Sequence, residues 1–522
     1  MFQVKITSAD KTILVSLSEP ALLSNLLSDQ KIHIAMPCAG RGKCLKCKVR
    51  AIGLLSDITE AELGALSEEE REMGVRLACM TYVVGNAEIR LFDENEKSSK
   101  IVSGGHMPYF ETHPLGEKFG IAIDIGTTTV AAYLYNLSNR SQIGSSCANN
   151  PQKAFGADVI SRIEKSMAGN SEQLAQAIID CIEQLSGDLC KSQNISPADI
   201  DSMVITGNTT MLYLLTKTDV ACLSHAPFEA TTLFGIYACK DLLCLNSFPN
   251  ARIYLPRCIS AYVGADITTA MLSSEMTDSD TCSVLVDIGT NGEMALQFSD
   301  KLWCCSTAAG PAFEGAGIHM GMNAVKGAID RVFVQDGAIR YTTIDQARAC
   351  GICGSGIIDA VAVLISQGIV DETGQIQEDG HPYENCIQEI ENAPAFCFEG
   401  SEVVITQKDI REVQLAKSAI CAGLKTLLHQ AELDPAAVKT FYIAGGFGSF
   451  INIESAAMIG LFPRELKNKA VILGNAAGMG ACMILLSSEM MEKSVRIAKK
   501  AENIELSTSP YFMDSYIDGM MF

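Results

Sequence analysis

One phrase occurs twice, and it restricts the possible folds more than any other part of the chain. Gly120-Ile-Ala-Ile-Asp124-Ile-Gly126-Thr127-Thr128-Thr129 runs on through apolar residues to Tyr135, and Val284-Leu-Val-Asp287-Ile-Gly289-Thr290-Asn291-Gly292-Glu293 runs on into Met-Ala-Leu. Each reads as an apolar strand, a tight turn and a second strand. The two aspartates stand 163 residues apart, a domain-scale interval. A carboxylate at a strand end can hold Mg²⁺ through water or orient a nucleophile. The glycine lets the turn approach a ligand closely, and backbone N–H and threonine hydroxyl groups donate to phosphate oxygens. One copy could be an ordinary capped turn. Two copies suggest related half-domains facing a polyphosphate across a cleft.

Further glycine turns fit that frame. Phe441-Tyr-Ile-Ala leads into Gly445-Gly446-Phe447-Gly448, where a flat base or ribose could lie against backbone. Val204-Ile-Thr206 ends in Gly207-Asn208, and Cys350-Gly-Ile-Cys353-Gly354-Ser355-Gly356 reads as a turn opening a helix. There is no GxxxxGK[ST] and no complete GxGxxG, so neither a P-loop nor a dinucleotide fingerprint is supported. Ala470 to Ser488 carries no charged residue. It is barely long enough to span a bilayer, and a buried strand–turn–helix is the expected structure.

The N-terminal hundred residues carry a different chemistry. Phe2–Thr7 and Thr12–Leu17 alternate apolar and polar residues like a β-hairpin. Cys38, Cys44 and Cys47 then follow at C-x5-C-x2-C spacing, with Cys79 further on. Four thiolates meet the requirement of an iron–sulfur cluster, and the glycine-containing loop between Cys38 and Cys44 can aim amides at its sulfurs. Four-cysteine zinc is the alternative, although such sites usually pair two CxxC units. Residues 57–72 hold seven acidic residues against Arg71, either a solvated helix face or a docking surface. The chain has 20 cysteines and a formal net charge of −21. No signal peptide is visible, so a cytoplasmic location with reduced thiols is expected. The acidity argues against nucleic acid and against anionic membranes.

The cysteine pattern resembles the 2Fe–2S ferredoxins of β-grasp fold, with the five-residue first gap of the adrenodoxin-type branch. The paired Asp-Ile-Gly-Thr phrases and the Gly-Gly-Phe-Gly turn resemble the acetate and sugar kinase, heat-shock chaperone and actin superfamily. That likeness implies two ribonuclease-H-like halves, with Asp124 to Thr129 and Asp287 to Glu293 as phosphate motifs and Gly445 to Gly448 as the adenosine motif. Three further phrases strengthen the match: Asn150-Pro-Gln with Phe155-Gly-Ala-Asp158, Tyr262-Val-Gly264-Ala-Asp266, and Ala309-Gly-Pro-Ala-Phe-Glu314-Gly-Ala-Gly317. Together with the cysteines they resemble the ATP-dependent reductive activators of corrinoid proteins.

The fold class implied is multidomain α+β and α/β. A β-grasp 2Fe–2S domain (1–95) and a linker (96–118) precede a first half (119–212) and a second half (213–522). The cofactors implied are a 2Fe–2S cluster on Cys38, Cys44, Cys47 and Cys79, and ATP with Mg²⁺. Asp124 and Asp287 are expected to organise Mg²⁺ and water, while Gly126, Thr127, Thr128, Thr129, Gly289, Thr290 and Asn291 hold phosphates. Gly207 and Asn208 would line the cleft, and Asp158 or Glu293 would position the attacking water. The partners implied are a corrinoid protein of a methyltransferase system, a low-potential donor such as a ferredoxin or flavodoxin, and a second copy in a homodimer. The reaction would pass one electron from the cluster to Co(II), regenerating Co(I). An activator of 2-hydroxyacyl-CoA dehydratases and a redox-regulated small-metabolite kinase are the alternatives.

Overall fold

The computed structural model describes residues 2–7, 12–30, 32, 34, 47–66, 68–91 and 104–522, so Cys38 and Cys44 lie outside the described residues. The chain forms two compact units. One comprises residues 1–97 with 151–170, and the other comprises 98–150 with 171–522.

In the first unit a mixed sheet runs in the order Thr12–Leu17, Phe2–Thr7, Tyr82–Leu91, Lys48–Leu55 and Val75–Leu77, with Ala21–Leu22 paired to Tyr82–Leu91. Phe2–Thr7 lies parallel to Tyr82–Leu91, and the other pairs are antiparallel. The alternating pattern of each strand sends one face inward. Val4, Ile6, Val49, Val83 and Ile89 meet Leu23, Leu26 and Leu27 of the helix Leu23–Asp29 in a single core. Part of the acidic run is internal. Glu62 is fully buried, and its Oε1 accepts from Arg76 Nε at 2.9 Å, Leu77 N at 3.0 Å and Thr81 Oγ1 at 3.1 Å. Glu70 accepts from Lys48 Nζ at 2.6 Å. Neither acid belongs to a uniformly solvated face. Residues 151–170 complete this unit with a 3₁₀ turn and the short helix Val159–Lys165.

The second unit holds two six-stranded sheets of matching design. The first runs Ile236–Tyr237, Arg252–Leu255, Ile200–Gly207, Phe119–Ile125, Thr129–Asn136, Ser141–Asn149. The second runs Ala470–Gly474, Thr440–Ala444, Ser283–Ile288, Gly292–Phe298, Lys301–Thr307, Glu502–Asn503. In both, the strand that ends in Asp-Ile has a parallel neighbour on one side and an antiparallel hairpin on the other. The repeated phrase is thus a repeated topology. Such central strands read as continuous apolar runs because both of their faces are covered. The first sheet extends beyond residue 212, since Arg252–Leu255 pairs in parallel with Ile200–Gly207. Residues 208–251, which include the helix Thr209–Leu215 and the short strand Ile236–Tyr237, separate those two strands and hide their pairing from the sequence.

A shared core brings the two sheets together. Ala122 and Val204 of the first sheet and Leu285 and Ala444 of the second pack into one cluster with Ile267, Met479 and Leu485. The uncharged stretch from Ala470 is the strand Ala470–Gly474 followed by the fully buried helix Ala476–Leu486. This helix lies against Ala265–Ser274 so closely that a Cβ on Gly480 would sit 2.0 Å from the Thr269 carbonyl oxygen. Among the described residues no helix is long and apolar enough to cross a membrane. Residues 104–118 are laid along this unit, which corrects their reading as free linker. His106 N and Leu115 N donate to the carbonyls of Leu473 and Leu485 at 2.9 and 3.0 Å. Met107, Phe110 and Leu115 supply the apolar contacts that a polar-looking stretch concealed.

Candidate functional site

Each repeated turn is closed by its own backbone bonds. In the first, Gly126 N donates to Thr129 O at 2.9 Å. Asn150, fully buried, clamps this hairpin from outside. Its N–H reaches Thr128 O at 2.7 Å and its side-chain amide reaches Gly126 O at 2.8 Å. In the second turn Gly289 N donates to Asn291 O at 3.3 Å, and Gly310 N donates to Thr290 O at 3.0 Å. The pairing of Asp287 with Ala444 brings the Gly445 turn over the same point. Gly445 has φ of 96°, and a Cβ there would lie 2.6 Å from Asp287 Oδ1, so a side chain at this position is excluded twice over. Phe447 of the same turn stacks on Phe313, with ring centroids 5.7 Å apart and planes 8° apart.

Four carboxylates converge behind these turns. Asp124, Asp266 and Asp287 keep part of their surface exposed, and Glu293 is buried. Loss of hydration raises Asp124 from 3.8 to about 6, opposed by a hydrogen bond from Asn475. Burial and the charges of Asp124 and Glu314 push Asp287 to about 7. Burial, with the charges of Asp124 and Asp287, takes Asp266 to about 8 despite a hydrogen bond from Ile267 N. Burial and repulsion from Asp266 and Asp287 raise Glu293 well above its ordinary value. Such a cluster of mutually repelling oxygens is what a hard divalent cation relieves. Among the described residues no three His, Cys, Asp or Glu side chains are placed to hold a metal ion by themselves. A cation held by one or two carboxylates plus phosphate oxygens and water fits that arrangement, which is the usual coordination of Mg²⁺.

Amides hold the carboxylates in place. Asn208 Nδ2 donates to Glu293 Oε1 at 2.5 Å, while its own Oδ1 caps Thr210 N at 3.0 Å. Asn475 Nδ2 donates to Asp124 Oδ2 at 2.9 Å, and its Oδ1 caps the buried helix at Gly478 N at 2.7 Å. Gly207 packs against Ile125, the residue after Asp124.

Asp124, Gly126, Thr128, Thr129, Asn208, Asp287, Gly289, Thr290, Glu293 and Gly445 are thus gathered in one region. Asp158 is not one of the converging carboxylates. It is the N-cap of Val159–Lys165, with Oδ1 accepting from Ser161 N at 2.8 Å and Ser161 returning a bond to its backbone. Sequence reasoning omitted Asp266, Glu314 and Asn475 from the site. The first two sit in phrases already noted, and Asn475 carried no signal beyond following an apolar strand.

In the first unit, Cys47 Sγ and Cys79 Sγ lie 3.3 Å apart, both buried. Their hydrogen bond lowers the Cys47 thiol to about 7 against the opposing effect of burial. A close, buried thiol pair is a fitting half of a thiolate metal site. The second CxxC is different in kind. Cys353 is buried against Ile329 O at 3.4 Å, whereas exposed Cys350 lies 3.9 Å from Met322 Sδ. Burial raises Cys304 and Cys305, as expected for inert thiols.

Comparison with known proteins places the chain in a family. Residues 281–522 match the family described as the C-terminal domain of RACo, its ASKHA domain, and residues 119–279 match the RACo middle region. The corrinoid activation enzyme RamQ of Eubacterium limosum is 34% identical over 459 residues, covering 84% of this chain and 76% of that protein. A Co(II) methylated amine-specific corrinoid protein reductase of Methanosarcina barkeri is 24% identical, over 76% of each chain. A solved structure of a reductive activator for corrinoid, iron–sulfur protein superposes over 100% of this chain and 98% of its own, with a TM-score of 0.71 and 30% identity. The architecture is therefore a mixed α/β multidomain chain with a C-terminal ASKHA domain, and the chain belongs to the family of reductive activators of corrinoid proteins.

Proposed function

We propose that this chain uses ATP to return a corrinoid protein from Co(II) to Co(I), with one electron coming from a 2Fe–2S cluster on Cys38, Cys44, Cys47 and Cys79. The carrying observation is the set of carboxylates Asp124, Asp266, Asp287 and Glu293 between two turns of matching design, in a chain of this family. The mixed sheet of the first unit and the Cys47–Cys79 pair support a β-grasp ferredoxin-like domain. Once bound, a cluster of this kind supplies a one-electron store at low potential.

Each residue then has a definable task. Asp124 and Asp287 would hold Mg²⁺, with Asn475 orienting the first. Thr127, Thr128, Thr290 and Asn291 would donate to phosphate oxygens, and Gly445 to Gly448 would admit the adenosine. Glu293, aimed by Asn208, would orient the attacking water, with Asp266 beside it. Moving one electron uphill costs about 2.3 kcal/mol per 100 mV. ATP can supply that only if its bound states grip the Co(II) protein differently. The donor that recharges the chain would be a low-potential carrier such as a ferredoxin or flavodoxin, and the assembly a homodimer.

The test is anaerobic. Protein, a low-potential donor and a Co(II) corrinoid protein are mixed with and without Mg·ATP, and the Co(I) absorption band is followed. Reduction should depend on ATP, and equal rate and extent without ATP would overturn the coupling. Asp287→Ala should abolish ATP turnover and leave the visible cluster spectrum unchanged.

A further inference from the structure

Glu314 joins the two phosphate turns. Thr128 Oγ1 donates to its Oε2, and Thr290 Oγ1 donates to its Oε1 at 3.0 Å. Thr128 lies 186 residues before Glu314, in the hairpin of the first sheet, so one carboxylate spans both halves. Its Oε1 sits 3.7 Å from where a Cβ on Gly289 would be, directly over the turn that a phosphate would approach. A carboxylate is an acceptor with two oxygens, one for each hydroxyl here. A phosphate presents the same kind of acceptor to the same donors.

We infer that Glu314 is a positioning residue that competes with nucleotide phosphate for the hydroxyls of Thr128 and Thr290, so that an incoming phosphate displaces it. The inference rests on the nucleotide reading of the cleft. Its loop turns sharply. Glu314 ends a single 3₁₀ turn, Ala312–Glu314, and Gly310, Gly315 and Gly317 around it have φ of 79°, 78° and 83°. The adjacent residue, Phe313, stacks on Phe447 of the Gly-Gly-Phe-Gly turn. Displacement at the phosphate end is thereby linked to the aromatic pair at the adenosine end through two consecutive residues.

Calorimetric titration of the full-length protein with Mg·ADP and Mg·ATP tests this. Glu314→Ala frees both hydroxyls and removes a negative charge from the phosphate site, so both nucleotides should bind about tenfold tighter, a change of about 1.4 kcal/mol. Glu314→Gln retains one acceptor oxygen and should shift in the same direction by less. A residue with only a structural role would weaken binding when removed, so the sign discriminates. Unchanged or weaker binding in both variants overturns the inference. If the alanine variant does not melt cooperatively, the glutamine variant decides alone. If the wild-type protein binds neither nucleotide, the nucleotide reading itself fails, which is a different result from failure of the competition.

Discussion

At the scale of single residues, this chain holds its carboxylates in two opposite ways. Glu62 is buried, which alone would raise it, but the Arg76 guanidinium and the N–H groups of Thr59 and Leu77 bring it down to about 2. A lowered carboxylate contributes stability that is present above its unfolded value of 4.5 and is lost as pH falls towards 2. Arg76→Met would leave that charge buried without its partner, at a cost of about 3–5 kcal/mol. Urea denaturation at pH 7 should show a loss of this size, shrinking as pH falls below 4. Asp124, Asp266 and Asp287 go the other way, raised to about 6, 8 and 7. Between 3.8 and those values the folded protein holds more protons than the unfolded chain, so this cluster makes stability fall as pH rises through the window. Asp266→Asn should flatten that decline in melting temperature between pH 5 and 8, measured without added nucleotide. The sequence showed which acids close the repeated strands, because that depends on local pattern. It could not show that Glu62 is internal while Asp57, Glu60 and Glu72 are exposed, because Arg76 reaches it across the fold. Asp266, Glu314 and Asn475 were hidden for the same reason, since each joins the site through contacts between distant segments.

At the scale of elements, glycines in two helices make the case for context over propensity. A glycine inside a helix costs about 0.5–1 kcal/mol relative to alanine when nothing else intervenes. In Ser171–Ser192, a Cβ on Gly187 would meet nothing within 4 Å. Gly187→Ala should therefore stabilise the protein by about that amount. In Ala476–Leu486 a Cβ on Gly480 would lie 2.0 Å from the Thr269 carbonyl, so the helices would have to part. Gly480→Val should destabilise by about 3 kcal/mol through overpacking. It should also weaken nucleotide binding, because the residue capping that helix, Asn475, is the one that holds Asp124. Chemical denaturation and nucleotide titration of the two variants should give opposite signs for stability and divergent affinities. The uncharged stretch was legible as a strand, a turn and a helix. The need for a close approach at Gly480 was not, because it is set by a helix from another part of the chain.

At the scale of the whole molecule, two chemistries sit in units with separate hydrophobic cores. The thiol pair belongs to the core built on Val4, Leu27 and Ile89, while the carboxylates belong to the unit built on Ala122, Leu285 and Met479. Damage to one site should then leave the other intact, because no core residue is common to both. Cys47→Ser should lose the visible iron–sulfur spectrum and all corrinoid reduction, yet bind Mg·ATP with wild-type affinity. Asp287→Asn should show the reverse, a normal spectrum with loss of nucleotide turnover. Joint reduction, by contrast, needs both sites. Mixing the two variants should restore Co(I) formation only if an electron can pass from the intact cluster of one chain while ATP acts on another. Recovery to about half of the wild-type rate would show that the two sites cooperate between chains, as a homodimer permits. No recovery would confine the coupling to a single chain, and loss of Mg·ATP binding in Cys47→Ser would show that the units are not independent at all.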